Sequence, residues 1–560
     1  MKNTKYSILF IILFIFSYQF SYSQKTYIVK FKSDKNLTNF LLQSNLNLKP
    51  LFKNQYLKNI PKLQSKTNFQ TSLYFKLQLN NNENKIFREL QTDENIEYIE
   101  ENHIYSVNKS TIPNDTLYDY QWALNQINAK SAWDIANGEG IIIGVVDTGI
   151  DFTHPDLVNQ LWLNSKEDAN GNGTFEPWSV NEIRNGISGD LNGIDDDGNG
   201  IVDDGIGYDF VDQEYANFGD WNTPDPIPED QGNHGTNVSG IIAATANNKI
   251  GIAGLAYKSR ILTAKAFDAT GNAESDDIAN AIIYAANNGA KILNLSFGDT
   301  FQSLLVKDAI NYAHSLGCII VASSGNENNS LPHYPSDYEN VISVGASNEK
   351  GLRSSISNYG VNLSILAPGE DILTTAPNGD YRRVSGTSFS APYVSAAIAL
   401  LLQKNPDLTS SEIRSLLEVQ AKKINLLGWD KKNGAGILDV YNLLNFTGKS
   451  NFDFENIQNY SYFNFKNLQD LNVSLSVITP LFQSYQIEMT ELDSNNYKPL
   501  SELFSNQEQN KQFSFSKSQI LSKDFRISLK INLKNGKILR RERALKIYPD
   551  SSNFIIEFFA

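Results

Sequence analysis

The chain has 560 residues, 41% apolar and 20% charged, with a formal net charge of −14 at neutral pH. That length exceeds one ordinary core and implies roughly two to four globular domains. The acidic balance excludes nucleic acid as the main partner, because phosphate binding needs clustered Lys and Arg. A single cysteine, Cys318, excludes an intrachain disulfide framework.

At the N-terminus, Lys2 and Lys5 precede the apolar run Ile8 to Phe16, and Ser21-Tyr22-Ser23 supplies small residues before a cleavage point. Residues 1–23 read as a signal peptide. The apolar run is too short to span a bilayer, and no nearby cysteine offers a lipid anchor. The expected location is therefore secreted or cell-surface, with no membrane span in the mature form.

Residues 24–110 form a small unit rich in Asn, Lys and Leu. It opens on the strand-like Thr26–Phe31 and closes on Ile96–Asn102, which suggests an α+β unit. The polar stretch Asn108 to Asp115 reads as a linker that a protease could reach.

Residues 115–445 alternate strand-like and helix-like runs. Ile141–Val146, Ile261–Phe267, Lys291–Phe297, Cys318–Ser323, Val341–Ala346 and Leu363–Ala367 are nearly continuous apolar stretches, as in strands covered on both faces. Asp276–Asn288, Leu304–Leu316 and a segment starting at Ser388 are helix-like. The alternation predicts a doubly wound, mostly parallel α/β sheet, with its chemistry at the carboxyl ends of the strands.

Residues 450–560 lose the helices. Phe525, Ile527, Leu529, Ile531 and Leu533 alternate with polar residues before an Asn535-Gly536 turn, so a small β-rich accessory domain is expected. Arg540, Arg541 and Arg543 read as a solvated strand edge, with a binding patch as the alternative.

Four positions in the central region could carry chemistry. Asp147 ends the first buried strand and is either a turn residue or a functional acid. His234 begins a packed helical run, where the positive end of the helix dipole would favour a neutral imidazole, as a general base requires. His154 precedes Pro155 and reads as structural; His103, His314 and His333 lie in other settings. Asn326, in a Ser-Ser-Gly-Asn turn, is a turn residue or an amide donor. Ser388, in Gly386-Thr387-Ser388-Phe389-Ser390-Ala391-Pro392, is a helix cap or a nucleophile.

Together these segments resemble the subtilisin-like serine proteases. Val146-Asp147-Thr148-Gly149-Ile150 is similar to the family's aspartate motif. His234-Gly235-Thr236 with Val238 and Gly240 is similar to its histidine motif, and Gly386-Thr387-Ser388 with Ser390 and Pro392 to its serine motif. The order Asp, His, Ser is the family's own. The resemblance covers Leu117 to Leu444 and implies a serine endopeptidase acting on proteins or peptides through an acyl-enzyme. Asp147, His234 and Ser388 would form the triad, with Asn326 as oxyanion donor. It further implies a substrate-pairing strand ending at Ser296, Phe297 and Gly298, and an opposite pocket wall at Ala322, Ser323 and Ser324. The family usually has Leu where this chain has Phe297. The N-terminal unit would be an inhibitory pro-domain removed by self-cleavage between about Val107 and Asn114, leaving a monomer.

One insertion has its own pattern. Asp195, Asp197, Asn199, the Ile201 carbonyl and Asp203 match alternate ligand places of an EF-hand loop around Gly200, so structural calcium is expected. Ile206 stands where the loop's closing Glu would be, so another part of the fold must complete the site. Glu167, Asp168, Asn170 and Asn172 offer a second candidate. Two rivals remain for the whole chain. One is an inactive binding protein, which the intact motifs oppose; the other is an esterase, which the lack of a G-x-S-x-G elbow opposes.

Overall fold

A computed structural model of the protein describes residues 25–43, 46, 48–50, 73–79, 84–102, 112–212, 224–426, 428–457, 461–464 and 468–548. The expected signal peptide and most of the expected self-cleavage stretch lie outside them. The chain divides into two compact units, residues 1–109 and 110–560.

In the first unit, strands Lys25–Phe31, Tyr74–Leu79 and Ile96–Glu101 form an antiparallel sheet with a short edge strand at Lys49–Pro50. Alternation along the central strand buries Tyr27, Val29 and Phe31. They pack with Phe40 from helix Asp34–Gln43 and Leu90 from helix Asn84–Gln91.

The second unit is built on seven parallel strands: β1 (Ile142–Asp147), β2 (Gly207–Asp209), β3 (Arg260–Lys265), β4 (Ile292–Leu295), β5 (Ile319–Ser323), β6 (Val341–Ser347) and β7 (Leu363–Pro368). Their order is β7-β6-β5-β4-β1-β3-β2. The order reverses at β1, so the crevice beyond its carboxyl end is where an open parallel sheet gathers ligands. Helices α1 (His234–Ala243) and α4 (Ala391–Lys404) pack on one face, α2 (Ser275–Asn287) and α3 (Leu304–Ser315) on the other. Both faces are therefore covered, which is why β4 to β6 are buried end to end. β2 has too few apolar residues to be legible in the sequence.

The C-terminal region is β-rich, as its alternation suggested. A three-stranded sheet (Asn451–Phe454, Asp470–Ile478, Glu508–Ser516) and a five-stranded sheet share one apolar core. Phe525, Ile527, Leu529, Ile531 and Leu533 all point into it. The arginines depart from the sequence reading. Arg541 and Arg543 are buried, not solvated, because Glu418, Asp453 and the Phe452 ring lie against them. Arg541 pairs with Glu418 of α5 (Ser410–Gln420) at 2.8 Å, Arg543 with Asp453 at 2.5 Å, and Arg540 with Glu488 at 2.5 Å.

Candidate active site

Asp147 is the last residue of β1, so a buried apolar strand delivers a carboxylate to the crevice. His234 opens α1. Gly235 lets the helix start closely approach the loop after β1, since a Cβ there would stand 2.0 Å from the Gly149 carbonyl oxygen. Thr148 and Asp230 secure the approach. The Gly235 N–H donates to Thr148 Oγ1 at 2.9 Å, and that hydroxyl donates to Asp230 Oδ1 at 2.7 Å. Asp230 Oδ2 accepts the Thr236 N–H at 2.8 Å. The outcome is a 2.7 Å hydrogen bond from His234 Nδ1 to Asp147 Oδ1, which also accepts the Thr148 N–H at 2.8 Å.

The imidazole departs from the expected helix-dipole effect. Burial disfavours its charged form, yet the Asp147 contact and the more distant Asp230 charge outweigh burial and raise the pKa above the usual histidine range. Asp230 had no sequence signal beyond its nearness to His234.

Ser388 sits in a 3₁₀ turn, Thr387–Phe389, one step before α4, not in the helix's first turn as its spacing suggested. This turn packs against α1, and the Phe389 ring lies 5.3 Å from the His234 ring, centroid to centroid. The Ser388 carbonyl accepts the Ser296 hydroxyl at 2.7 Å; Asn294 and Ser395 continue that buried chain. Asn326 follows β5, and its side-chain oxygen accepts the Thr387 N–H at 2.8 Å and the Thr387 hydroxyl at 3.1 Å. Its amide hydrogens are thereby left to the cleft. Thr387, buried inside the serine motif, thus orients Asn326, a contact with no signal in the sequence.

A cleft of about 650 Å³ opens in front of Ser388 and Asn326. Phe297, Gly298 and Ser323 line it; Ser296, Ala322 and Ser324 do not. Ser296 is turned to the Ser388 carbonyl, Ala322 is in the core beneath, and Ser324 borders a neighbouring cavity. His154 is buried, donating through Nε2 to the Asp380 carbonyl and accepting the Asp156 N–H at Nδ1. Cys318 is buried, and burial pushes its thiol up to about 11, out of nucleophilic range.

The acidic insertion is arranged differently from the EF-hand spacing. Asp195 accepts the N–H groups of Gly198, Asn199 and Gly200, and Asp203 those of Asn192 and Gly193. Gly198 and Gly200 have positive φ, which turns the loop amides toward Asp195. The Asn199 oxygen accepts the Ile201 N–H. The carboxylates that converge are Glu167, Asp197 and Asp204, with oxygens within 4.8 Å of one another. Glu167 Oε1 accepts the N–H groups of Asp196 and Asp197, while Oε2 is buried without a hydrogen-bond partner. Burial, with repulsion from neighbouring acids, raises the pKa of both Glu167 and Asp204. The Asn164 and Asn199 amides donate to Asp197 and Asp204, and the acidic pocket with its unsatisfied Glu167 oxygen fits a hard divalent cation that would take the place of those donors. The second candidate does not close on its own: Asn170 and Asn172 donate to Glu176, and Asp168 accepts loop amides.

The subtilase family profile matches residues 138–436. The chain is 35% identical over 363 residues to a thermophilic serine proteinase of Bacillus sp. strain AK1, covering 64% of this chain and 76% of that one. It is 34% identical over 322 residues to thermitase of Thermoactinomyces vulgaris, covering 57% and 95%. Subtilisin E of Bacillus subtilis is 30% identical over 361 residues, covering 64% and 77%. The matched region holds the parallel sheet, the crevice at its reversal point and the three motifs around it, and on this agreement the chain belongs to the subtilase family and is a serine endopeptidase.

Proposed function

We propose that Ser388, His234 and Asp147 carry the hydrolysis, with Asn326 and the Ser388 backbone N–H as oxyanion donors. The observation that carries this reading is the 2.7 Å His234–Asp147 hydrogen bond beside the turn that holds Ser388. His234 Nε2 takes the proton of Ser388 Oγ as the oxygen attacks the peptide carbonyl. Asp147 keeps the Nδ1–H tautomer in place and stabilises the imidazolium that forms. The oxyanion of the tetrahedral intermediate is met by the Asn326 amide, which Thr387 holds in orientation. His234 returns the proton to the leaving amine, and water repeats the two steps on the acyl-enzyme.

The enzyme is made as an exported zymogen. Residues 1–23 direct export, residues 24–110 serve as an inhibitory pro-domain, and self-cleavage near 107–114 releases the peptidase with its C-terminal β-rich domain. The N-terminal pattern and the separate compact unit of residues 1–109 support that reading. Glu167, Asp197 and Asp204 would hold a structural calcium ion, which neutralises their mutual repulsion.

Casein hydrolysis, p-nitrophenyl ester hydrolysis and mass spectrometry of the secreted chain test the assignment together. Wild-type protein is expected to cleave casein and to begin near residues 107–114. Ser388→Ala is expected to do neither. Ester turnover without peptide cleavage, or a Ser388→Ala variant that still self-processes in the absence of another protease, overturns it.

A further inference from the structure

Beside Ser388, the backbone segments that continue β4 and β5 form two facing walls of the cleft. Gly298 lies on one wall and Gly325 on the other. The His333 ring lies between them. A Cβ on Gly298 would stand 2.3 Å from His333 Cε1, and a Cβ on Gly325 would stand 2.8 Å from His333 Cδ2. The imidazole therefore touches both walls, and only glycine on each side leaves it room. It is fixed there from below. The His333 N–H donates to Asp337 Oδ2 at 3.1 Å, Ser336 Oγ donates to the His333 carbonyl at 2.9 Å, and His333 Nδ1 lies 3.3 Å from the same hydroxyl. The residue is 7% exposed.

Resting on the protease reading above, we infer that His333 is the floor of the primary specificity pocket and restricts the residue before the scissile bond to small side chains. A substrate side chain entering between Gly298 and Gly325 meets the ring, which already fills the gap between the two walls. A longer one must displace a ring wedged between two walls, hydrogen-bonded through Nδ1 to Ser336 and carried on a backbone that Asp337 and Ser336 anchor. The ring offers no charge to compensate. Burial depresses the His333 pKa, against the opposing pull of Glu327 and Asp299, so the imidazole is neutral near pH 7. Glu327 is itself engaged, its Oε2 accepting the Asn326 N–H and the Asn358 amide. A steric floor of this kind discriminates by roughly 10–200-fold per extra methylene.

The test uses the processed full-length enzyme and succinyl-Ala-Ala-Pro-X p-nitroanilides with X as Ala, Leu, Phe, Lys or Glu. Wild type is expected to favour Ala over Phe by at least about tenfold in kcat/KM. His333→Gly is expected to shift that ratio by about tenfold or more toward Phe, chiefly through KM. Cleavage sites mapped on denatured casein by mass spectrometry give the same preference without any variant, should His333→Gly fail to fold. A wild-type profile led by Phe, Leu, Lys or Glu overturns the inference, as does an unchanged ratio in folded His333→Gly. An enzyme that cleaves neither casein nor any of these peptides overturns the protease reading, and this inference with it.

Discussion

The Asn326 side-chain oxygen is held 2.8 Å from the Thr387 backbone N–H and 3.1 Å from the Thr387 hydroxyl. The residue before the nucleophile thus fixes which face of the amide meets the substrate carbonyl. Asn326→Leu keeps the volume but removes the donor. The expected loss is roughly 10²–10³ in kcat with little change in KM, the size known for subtilisin's own oxyanion asparagine. Thr387→Val removes the hydroxyl contacts to Asn326 and to the Gly325 N–H and is expected to cost about tenfold, since the Thr387 backbone N–H still holds the amide. Steady-state kinetics on one peptide substrate decides both. A rise in KM with kcat unchanged would place Asn326 in ground-state binding instead.

The hydrogen bond between His234 and Asp147 sets the acid side of the pH profile. Base catalysis needs the uncharged imidazole, so kcat/KM falls as pH drops through the His234 pKa. Burial alone would lower that pKa, but Asp147 and Asp230 together raise it. The acid limb is therefore expected above the usual histidine range. Asp230→Asn removes one carboxylate charge and keeps one oxygen to accept the Thr236 N–H, while its new amide can donate to the Thr148 hydroxyl. Its acid limb is expected to move to lower pH. A limb that stays in place, or moves up, shows that Asp230 does not act on His234 electrostatically.

The groups proposed to be catalytic could be picked out because each sits in a local motif whose neighbours are fixed by backbone needs. Gly235 permits close approach, and Pro392 starts a helix. Their partners were not legible. Thr387 acts on Asn326 from 61 residues away, and His333 meets two glycines in other loops. The acidic insertion shows the same limit. Alternate spacing pointed to Asp195 and Asp203, which accept loop amides; it could not point to Glu167, which enters from 29 residues before Asp196. Arg540, Arg541 and Arg543 read as a solvated edge because nothing local shows that Glu418 and Asp453, far away in the chain, lie against Arg541 and Arg543.

Calcium removal tests the reassigned acidic centre. An ion that binds only the folded state at 100 times its Kd contributes about 2.7 kcal/mol. EGTA is therefore expected to lower Tm by several degrees, with calcium restoring it. Glu167→Gln should lose most of that response, because it replaces the buried oxygen that lacks a partner. Asp195→Asn should retain more of it, since Asp195 is turned to the amides of residues 198–200. If Asp195→Asn abolishes the response while Glu167→Gln leaves it intact, the ion is held by the EF-hand spacing after all.

The C-terminal β-rich region shares one compact unit and one apolar core with the parallel sheet and is further joined to it by buried charge, so it is expected to be needed for stability. Glu418 is 1% exposed and pairs with Arg541 at 2.8 Å and with Arg414 of its own helix at 3.3 Å. Lys537, from the same β-rich domain, donates to the Glu418 and Ala421 carbonyls at 2.7 and 2.8 Å and so caps the end of α5. Burial leaves such groups no water to fall back on. Breaking one buried pair typically costs about 3–5 kcal/mol, whereas replacing both partners with apolar residues can be nearly neutral. Arg541→Met should therefore lower Tm markedly, and Glu418→Leu/Arg541→Met should recover part of the loss. Deleting residues 450–560 strands Glu418 and exposes the α5 end together, and should yield insoluble or inactive protease. A truncated enzyme with wild-type Tm and activity would mean that these contacts contribute nothing to holding the peptidase together.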